Sequence, residues 1–275
     1  PLRLVGSEMC IRDRYRIEIF PMTEKITKLK LIKSGHPSQT TRPQTKYQRV
    51  ENIIRQRLIE NIWKPGDALP SEIQLATELD VSQGTVRKAL NDMVAENLLY
   101  RRQGLGTFVS QHTERRALFL YFSLAGNNGT RILPESKILN FREKEPSEAE
   151  FTKLELMNRD RVIQFQRIRY YEDVPTIFET ITLPLEHFPD FGSDSEPPNN
   201  LFRFYQSFYG ITVAKAEEQL RAVPASHEES NILNVPENSP LLEINRLARM
   251  LDGRPVEWRV SHCDTTNYHY IKESG

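Results

Sequence analysis

The sequence is poor in cysteine and has no long hydrophobic run. Its 275 residues include two cysteines, Cys10 and Cys263, which are too few for a disulfide framework and favour a reducing compartment. The longest apolar stretch, ALFLYFSLA at residues 117–125, is half as long as the roughly 18 residues that a membrane-spanning helix needs. We therefore expect a cytoplasmic protein.

Common catalytic and metal-binding motifs are also missing. The chain contains no G-x-S-x-G nucleophile elbow, no H-E-x-x-H pair and no phosphate-binding loop. His262, Cys263 and His269 are close in sequence, but their spacing fits no common zinc site. We expect a protein that is not an enzyme and that uses no metal or cofactor.

Net charge is absent as well, since 37 Lys and Arg balance 37 Asp and Glu. Any nucleic-acid binding must come from a local patch, because the whole chain exerts no long-range attraction. Residues 22–49 contain seven basic side chains and one acid, Glu24. Within this stretch, residues 22–43 are typical of a flexible basic arm, or of a solvated leader without a function.

The first 21 residues have the character of a non-native leader. LVGSEMCIRDR, at residues 4–14, resembles a translated sequencing adapter, and MTEKITKLK at residues 22–30 has the form of a natural start. We expect residues 1–21 to have no part in the function.

Three helical patterns follow the arm. KYQRVENIIRQRLIENIW, residues 46–63, has apolar residues at helical spacing and is stopped by Pro65 and Gly66. In LPSEIQLATELD, residues 69–80, Ser71 and Gln74 form the capping box of a second helix. A third helix is capped by Ser82 and runs to about Glu96. The expected inward residues of the three helices are Val50, Ile53, Ile54, Leu58, Ile62, Ile73, Leu75, Ala76, Leu79, Val86, Leu90, Met93 and Val94.

The second and third helices are joined by about three residues, with Asp80 at the turn because Asp tolerates positive φ. This spacing predicts a helix-turn-helix unit, whose second helix enters the major groove of DNA. Gln83 and Arg87 share one face of that helix, and each side chain matches the edge of one base, adenine for Gln and guanine for Arg. Gly84 permits a close approach, and Thr85 and Lys88 are expected phosphate contacts.

LLYRRQGLGTFVS, residues 98–110, predicts a β-hairpin behind the recognition helix. Strands are expected at residues 98–102 and 107–110, with a glycine-containing turn between them. A hairpin in this position is a wing, and Arg101, Arg102 and Gln103 at its tip can reach the DNA backbone or the adjacent minor groove.

Residues 65–109 resemble the winged helix-turn-helix of GntR-family bacterial transcription regulators. They carry the LPSE, TVR-x-AL and QG-x-GTFV elements of that family in order. Ile73 and Gln83 stand where the family often has Arg, so the common family operator is not implied. The resemblance implies DNA contacts from Ser71, Ser82, Gln83, Gly84, Thr85, Arg87, Lys88, Arg102, Gln103, Gly104, Gly106 and Thr107.

The remainder of the chain has several strand patterns and few helical ones. Helices are expected at residues 147–157, 199–210 and 226–235. Strands in mixed order with few helices predict an α+β domain around an antiparallel sheet. The expected strands are residues 117–124, 161–172, 176–184, 212–223, 240–251 and 255–263.

This half resembles the UTRA effector-binding domain of the HutC-like subfamily, which is similar in fold to chorismate lyase. The matching residues are R-x-R at Arg167 and Arg169, the DVP that follows, Glu179, A-x-E-x-L-x-A at residues 216–222, and PLLEI ahead of LDGRPVEW. The resemblance implies that Arg167, Arg169, Glu179 and Glu218 line an effector pocket. HCDTTNYHY, residues 262–270, departs from the family, whose last strand carries Arg and Asp before a Tyr.

Arg167 and Arg169 lie two residues apart on a strand and share a face, so both guanidinium groups can converge on one anion. Glu179 and Glu218 can accept hydrogen bonds from hydroxyl or amine groups of a ligand. Alternatively, the arginines and glutamates form cross-strand pairs on a wet sheet face. Glu217 is expected to face solvent.

We therefore expect a ligand-responsive transcription regulator, and a repressor rather than an activator. One recognition helix covers few base pairs, so a homodimer on a pseudo-palindromic operator is expected. The expected domains are a winged helix-turn-helix at residues 44–110, a linker at 111–116, and an effector-binding and dimerisation domain at 117–275, which binds a small anionic metabolite. Two alternatives remain open: an enzyme with the chorismate lyase-like fold, and a nonspecific nucleic-acid binder.

Overall fold

The structure, a computed structural model, describes residues 45–113, 124–192 and 196–271. The expected leader at residues 1–21 and basic arm at residues 22–43 lie outside these ranges. So do residues 114–116 of the expected linker and almost all of the strand expected at residues 117–124.

Three helices form the N-terminal domain: α1 (Lys46–Ile59), α2 (Glu72–Leu79) and α3 (Gln83–Ala95). Each begins at a hydroxyl side chain, Thr45, Ser71 or Ser82, which accepts a hydrogen bond from the backbone N–H three residues later. The capping box of Ser71 and the positive φ of Asp80, which is 53°, are confirmed. These local signals set the start of each helix and the sharp turn between α2 and α3.

Buried apolar residues from all three helices form one core. Its members include Val50, Ile54, Leu58, Leu75, Leu79, Val86, Ala89, Leu90 and Met93. Two of the expected inward residues are absent from it, so those predictions are wrong. Ile62 is 57% exposed because α1 already ends at Ile59. Ile73 is 65% exposed, on the outer side of the first turn of α2.

The expected wing is present as strands β1 (Leu99–Arg102) and β2 (Gly106–Val109), paired in antiparallel register. Three backbone hydrogen bonds tie β2 to the segment ahead of α2: Leu69 N–H donates to Thr107 O at 2.8 Å, Gly66 N–H donates to Val109 O at 3.0 Å, and Val109 N–H donates to Asp67 O at 2.9 Å. The wing is therefore fixed relative to the helices instead of projecting as a free hairpin.

A six-stranded antiparallel sheet is the centre of the C-terminal domain, in the order β4-β5-β6-β9-β8-β7. The strands expected from residue 161 onward are all confirmed, whereas β4 was not expected. Their bounds are β4 Glu135–Lys144, β5 Val162–Tyr171, β6 Val174–Pro184, β7 Val213–Pro224, β8 Pro240–Met250 and β9 Pro255–Cys263. A separate pair joins β3 (Leu124–Gly126) to β10 (Tyr268–Tyr270).

Three short helices complete this domain and confirm the three that were expected: α4 (Glu148–Lys153), α5 (Leu201–Phe208) and α6 (His227–Leu233). A 3₁₀ turn spans Leu185–His187. Phe188, Phe191 and Tyr205 pack with apolar residues of β5 and β6 in the largest core cluster of the domain. None of the described helices is long and apolar enough to cross a bilayer.

The chain that leaves the wing is held by α5. Gln206 accepts a hydrogen bond from His112 N–H at 3.0 Å and donates one to Ser110 O at 3.3 Å. Ala214 at the start of β7 and Leu251 after β8 pack against the core of the N-terminal domain. The described part of the expected linker therefore makes specific contacts with the C-terminal domain.

Candidate functional site

The exposed side of α3 carries the side chains that were expected to read DNA. Gln83, Gly84, Arg87 and Lys88 are exposed, and Thr85 is half-buried beside Ser82. Within the described chain, a Cβ added to Gly84 would meet only Ser82 Oγ, at 3.9 Å. Packing inside the protein therefore does not require glycine here, whereas close approach of a partner would.

Glu72, the first residue of α2, connects α3 to the wing. Its Oε2 accepts hydrogen bonds from Arg87 Nε at 2.8 Å and Gln83 Nε2 at 3.2 Å, and its Oε1 accepts one from Arg101 Nη2 at 3.1 Å. Burial alone would raise the pKa of Glu72, but hydrogen bonds from Arg87 and Gln83 and the charges of Arg87 and Arg101 hold it below its ordinary value. Sequence reasoning did not include Glu72, although it belongs to the LPSE element.

Lys88 is positioned by an aromatic ring. Its Nζ lies 4.8 Å from the ring centroid of Tyr47 on α1, and the Tyr47 hydroxyl donates a hydrogen bond to Asp92. A cation above a ring face is attracted by the negative charge density there. Lys88 therefore presents its charge from a defined position beside Arg87.

The wing presents Arg102, Gln103, Gly104 and Gly106 on its exposed surface. The guanidinium of Arg102 lies 5.6 Å from the Tyr100 ring and 5.4 Å from the Phe108 ring, which restricts its position. Thr107 differs from these residues because it is 8% exposed and belongs to the anchored part of β2. Its expected contact with DNA stays a prediction.

In the C-terminal domain, Arg167 and Arg169 on β5 are both fully buried. They converge on one carboxylate, as the shared strand face implied, but that carboxylate is Glu179 of β6. Glu179 Oε1 accepts from Arg167 Nε and from Arg169 Nε, the latter at 2.8 Å. Ser261 Oγ donates to Glu179 Oε2 at 3.1 Å. The alternative expectation was that these residues form cross-strand pairs on a solvent-exposed sheet face. Arg167 and Glu179 are indeed paired across β5 and β6, but both side chains are buried.

Arg259 of β9 extends the group. It donates to Glu257 at 3.0 Å and 2.8 Å, and its Nη1 lies 3.6 Å from Glu179 Oε2. We call Arg167, Arg169, Arg259, Glu179 and Glu257 the arginine cluster. Among the residues that the structure describes, the three guanidinium groups of the cluster face two carboxylates, which gives the cluster an excess of one buried positive charge. Burial opposes ionisation of Glu179, yet the charges of Arg167, Arg169 and Arg259 keep its pKa well below its ordinary value.

A small cavity of about 30 Å³ lies beside the cluster, lined by Arg169, Tyr171, Glu179 and Arg246 among others. This volume suits about one or two water molecules, so a metabolite can enter only if side chains move. Among the described residues, the buried Arg167 Nη2 and Tyr171 hydroxyl have no hydrogen-bond partner. Unpaired buried donors are costly, and an incoming acceptor would relieve that cost.

Glu218 of β7 is placed farther along the sheet. It accepts from Arg246 Nε at 2.6 Å and from the Tyr270 hydroxyl, so it reaches the cavity wall through Arg246. Glu217 is exposed, as expected. Arg246, Glu257, Arg259 and Ser261 were missed, although E-x-R-x-S at residues 257–261 has the two-residue period of one strand face.

Asn199 and Asn200 connect the arginine cluster to the linker. Asn199 accepts from Arg169 Nη1 through Oδ1 at 2.7 Å and from Arg167 Nη1 through its backbone oxygen at 3.4 Å. Asn200 caps α5 through Arg203 N–H and donates from Nδ2 to His112 O at 3.4 Å. Adjacent residues thus contact the cluster on one side and the chain below the wing on the other.

The three residues weighed as metal ligands are in different surroundings. His262 lies between Glu229 and Glu243, Cys263 is buried at the cavity, and His269 is exposed on β10. Over the residues that the structure describes, no group of three or more His, Cys, Asp and Glu side chains is arranged to hold a metal.

Comparison with known families matches both domains. Residues 46–109 match the bacterial regulatory proteins of the gntR family, and residues 131–269 match the UTRA domain. The ligand-binding domain of a GntR-family transcriptional regulator from Bordetella bronchiseptica superposes with a TM-score of 0.50 and 29% identity, over 56% of this chain and 96% of that domain.

Three named repressors are similar over most of their length. The mannosyl-D-glycerate transport/metabolism system repressor MngR of Escherichia coli is 28% identical over 82% of this chain and 93% of its own. The repressor NagR of Bacillus subtilis is 26% identical over the same shares, 82% and 93%. The histidine utilization repressor of Klebsiella aerogenes is 26% identical over 73% of this chain and 83% of its own.

Proposed function

We propose that this chain, which belongs to the GntR family of bacterial transcription regulators, is a sequence-specific repressor controlled by a small anionic ligand. Within that family it belongs to the HutC-like group that carries a UTRA domain. The operator is read by α3 and the wing. Gln83 and Arg87 contact base edges, and Lys88 and Arg102 contact the phosphate backbone.

The observation that carries the ligand class is the buried excess of positive charge in the arginine cluster. An anion that enters beside Arg167 and Arg169 offers acceptors to Arg167 Nη2 and the Tyr171 hydroxyl and balances the excess charge. Mannosyl-D-glycerate and histidine, which appear in the names of two relatives, both carry a carboxylate. We infer that the ligand of this chain carries a carboxylate or phosphate group.

Ligand binding alters the position of the DNA-binding domain through Asn199 and Asn200. An anion competes with Glu179 for the hydrogen bonds of Arg167 and Arg169, so these side chains shift, and Asn199 accepts from both. Asn200 and Gln206 then carry the shift to Ser110 and His112, below the wing. A coupling of about 1–3 kcal/mol changes operator affinity about 5–150-fold, and the operator weakens ligand binding by the same factor.

Two recognition helices are needed for a useful operator length, so the working form is a homodimer joined through the C-terminal domain. Light scattering at the concentrations used for DNA binding tests this part of the proposal. A monomer that binds its operator with full specificity would contradict it.

Selection of bound duplexes from a random DNA pool by the full chain, with and without small anionic metabolites, tests the main proposal. The expected result is a two-fold symmetric motif whose binding changes when one of the metabolites is present. Binding that enriches no motif and falls steeply with salt would instead favour a nonspecific nucleic-acid binder. A motif whose binding responds to no carboxylate or phosphate would refute the ligand class alone.

A further inference from the structure

Glu72 is a carboxylate at the surface that is proposed to meet DNA, where a negative charge weakens attraction to phosphates. We propose that Glu72 is a positioning residue for base recognition, which holds Arg87, Gln83 and Arg101 in one arrangement before DNA arrives. This inference rests on the proposed function, because it concerns specificity on an operator.

The contacts leave the base-reading atoms available. Arg87 uses Nε for Glu72, so its two terminal nitrogens remain for the two acceptors on the major-groove edge of guanine. Gln83 uses Nε2, which determines the direction in which its Oε1 faces. Glu72 therefore selects one orientation for each reading side chain, and Gln83 keeps its Oε1 and the second hydrogen of Nε2 for a base.

The position of Glu72 favours this role over a simple surface ion pair. Its side chain is 16% exposed, whereas Arg87 is 56% and Arg101 is 42% exposed. A half-buried anchor restricts long, mobile side chains that would otherwise lose rotamer freedom when they bind DNA. Because Arg101 is on the wing, the same carboxylate also connects the wing to Arg87 and Gln83 of α3.

A purely structural role for Glu72 must be distinguished, since a carboxylate in the first turn stabilises a helix through its dipole. Glu78 provides the matched control, because it lies on the same helix and pairs with Arg57 of α1, an arginine that belongs neither to α3 nor to the wing. The variants are Glu72→Gln, which removes charge at constant size, Glu72→Asp, which keeps charge but shortens reach, and Glu78→Gln.

The experiment measures affinities of the full chain for its selected operator, for operators with single base changes, and for a random duplex. Glu72→Gln should bind the random duplex roughly fivefold more tightly, since one repulsive charge is removed. It should also lose about tenfold of the discrimination at the base pairs read by Arg87 and Gln83. Glu72→Asp should lose discrimination without the gain on random DNA, and Glu78→Gln should keep the discrimination of the wild type.

Combination with Arg87→Ala supplies the readout that a structural role would not move. In the Arg87→Ala background, Glu72→Gln should have no further effect on preference at the base pair that Arg87 reads. The positioning role is refuted if Glu72→Gln keeps wild-type discrimination at every base pair. It is also refuted if Glu72→Gln reduces the preference at the base pair read by Arg87 equally in the wild-type and Arg87→Ala backgrounds. In both cases the proposed function stands. If the wild-type chain itself discriminates no sequence, the proposed function fails, and the positioning role fails with it.

Discussion

Replacing Glu179 with glutamine removes the carboxylate on which two fully buried arginines converge. The variant keeps the size of the side chain, but Arg167 and Arg169 lose their ionic partner, and the excess of positive charge in the arginine cluster rises from one to two. Removing one partner of a buried ion pair costs about 3–5 kcal/mol. That is a large part of the roughly 5–15 kcal/mol by which a domain is stable.

Thermal unfolding measures this loss of stability. For a domain of this size, 1 kcal/mol shifts the midpoint by about 2–4 °C, so Glu179→Gln should unfold about 6–20 °C below the wild type. Glu143→Gln is the control, because Glu143 pairs with Arg161 at 3.2 Å on an exposed part of the same sheet, where about 0–1 kcal/mol is expected. A loss below about 1 kcal/mol in Glu179→Gln would refute the assignment of structural importance to this charge.

The stability contribution of Glu179 depends on pH. Glu179 has a folded-state pKa well below its ordinary value of 4.5, so its contribution to stability is fully present above about pH 4.5 and is lost as the pH falls toward the folded-state pKa. Glu179→Gln lacks this carboxyl group and should therefore lose less stability than the wild type over the same acid range. Parallel acid titrations of the two proteins would contradict the assignment.

Three further predictions concern the DNA-binding surface and its link to the arginine cluster. Arg87→Ala should cost about 1–3 kcal/mol of operator binding free energy and relax the preference at one base pair, whereas Lys88→Ala should weaken binding to all sequences alike. Operator titration at several salt concentrations separates the two effects. Equal small effects would mean that another face of α3 meets DNA. Gly84→Ala should raise the free energy of unfolding by about 0.5–1 kcal/mol, because a Cβ at this position meets only Ser82 Oγ, at 3.9 Å, and alanine favours the helix. The same variant should weaken operator binding, because the added methyl group lies where DNA approaches. Unimpaired binding would exclude close approach at this point. Asn200→Ala should have nearly the operator affinity of the wild type when no ligand is present, but the ligand should change that affinity less. Operator titration with and without ligand measures both quantities. An unchanged response to the ligand would exclude Asn200 from the coupling.

The small cavity has a consequence for how control operates. Since the cavity offers about 30 Å³, the proposed ligand must displace side chains of the arginine cluster when it binds there. The free energy needed to move them is subtracted from ligand affinity, and the same movement is what can reach Asn199. Under the proposed mechanism, tight packing around the cluster links ligand affinity to the response at the linker.

Much of the fold follows from short-range signals in the sequence. The capping box joins Ser71 to Gln74, and Asp80 ends α2 with a hydrogen bond to Ala76 O. Both signals involve residues at most four positions apart, so the start and end of α2 are predictable from the sequence. The strand at residues 161–172 is rich in β-branched and aromatic residues, most of which the sheet buries. The edge strand β4 has a largely exposed sequence, ESKILNFREK, without clear alternation, and was missed for that reason.

The sequence by itself determined the family, the two domain types, the exposed face of α3 and the pair of arginines on one strand face. Only the tertiary structure decided what those arginines contact, because the register of β5 on β6 sets Arg167 opposite Glu179, and the pairing of β6 with β9 brings in Arg259 and Ser261. It likewise decided that Glu72 joins α3 to the wing and that Ile73 remains exposed. Helical and strand periods describe one element at a time, whereas these contacts depend on how separate elements are packed.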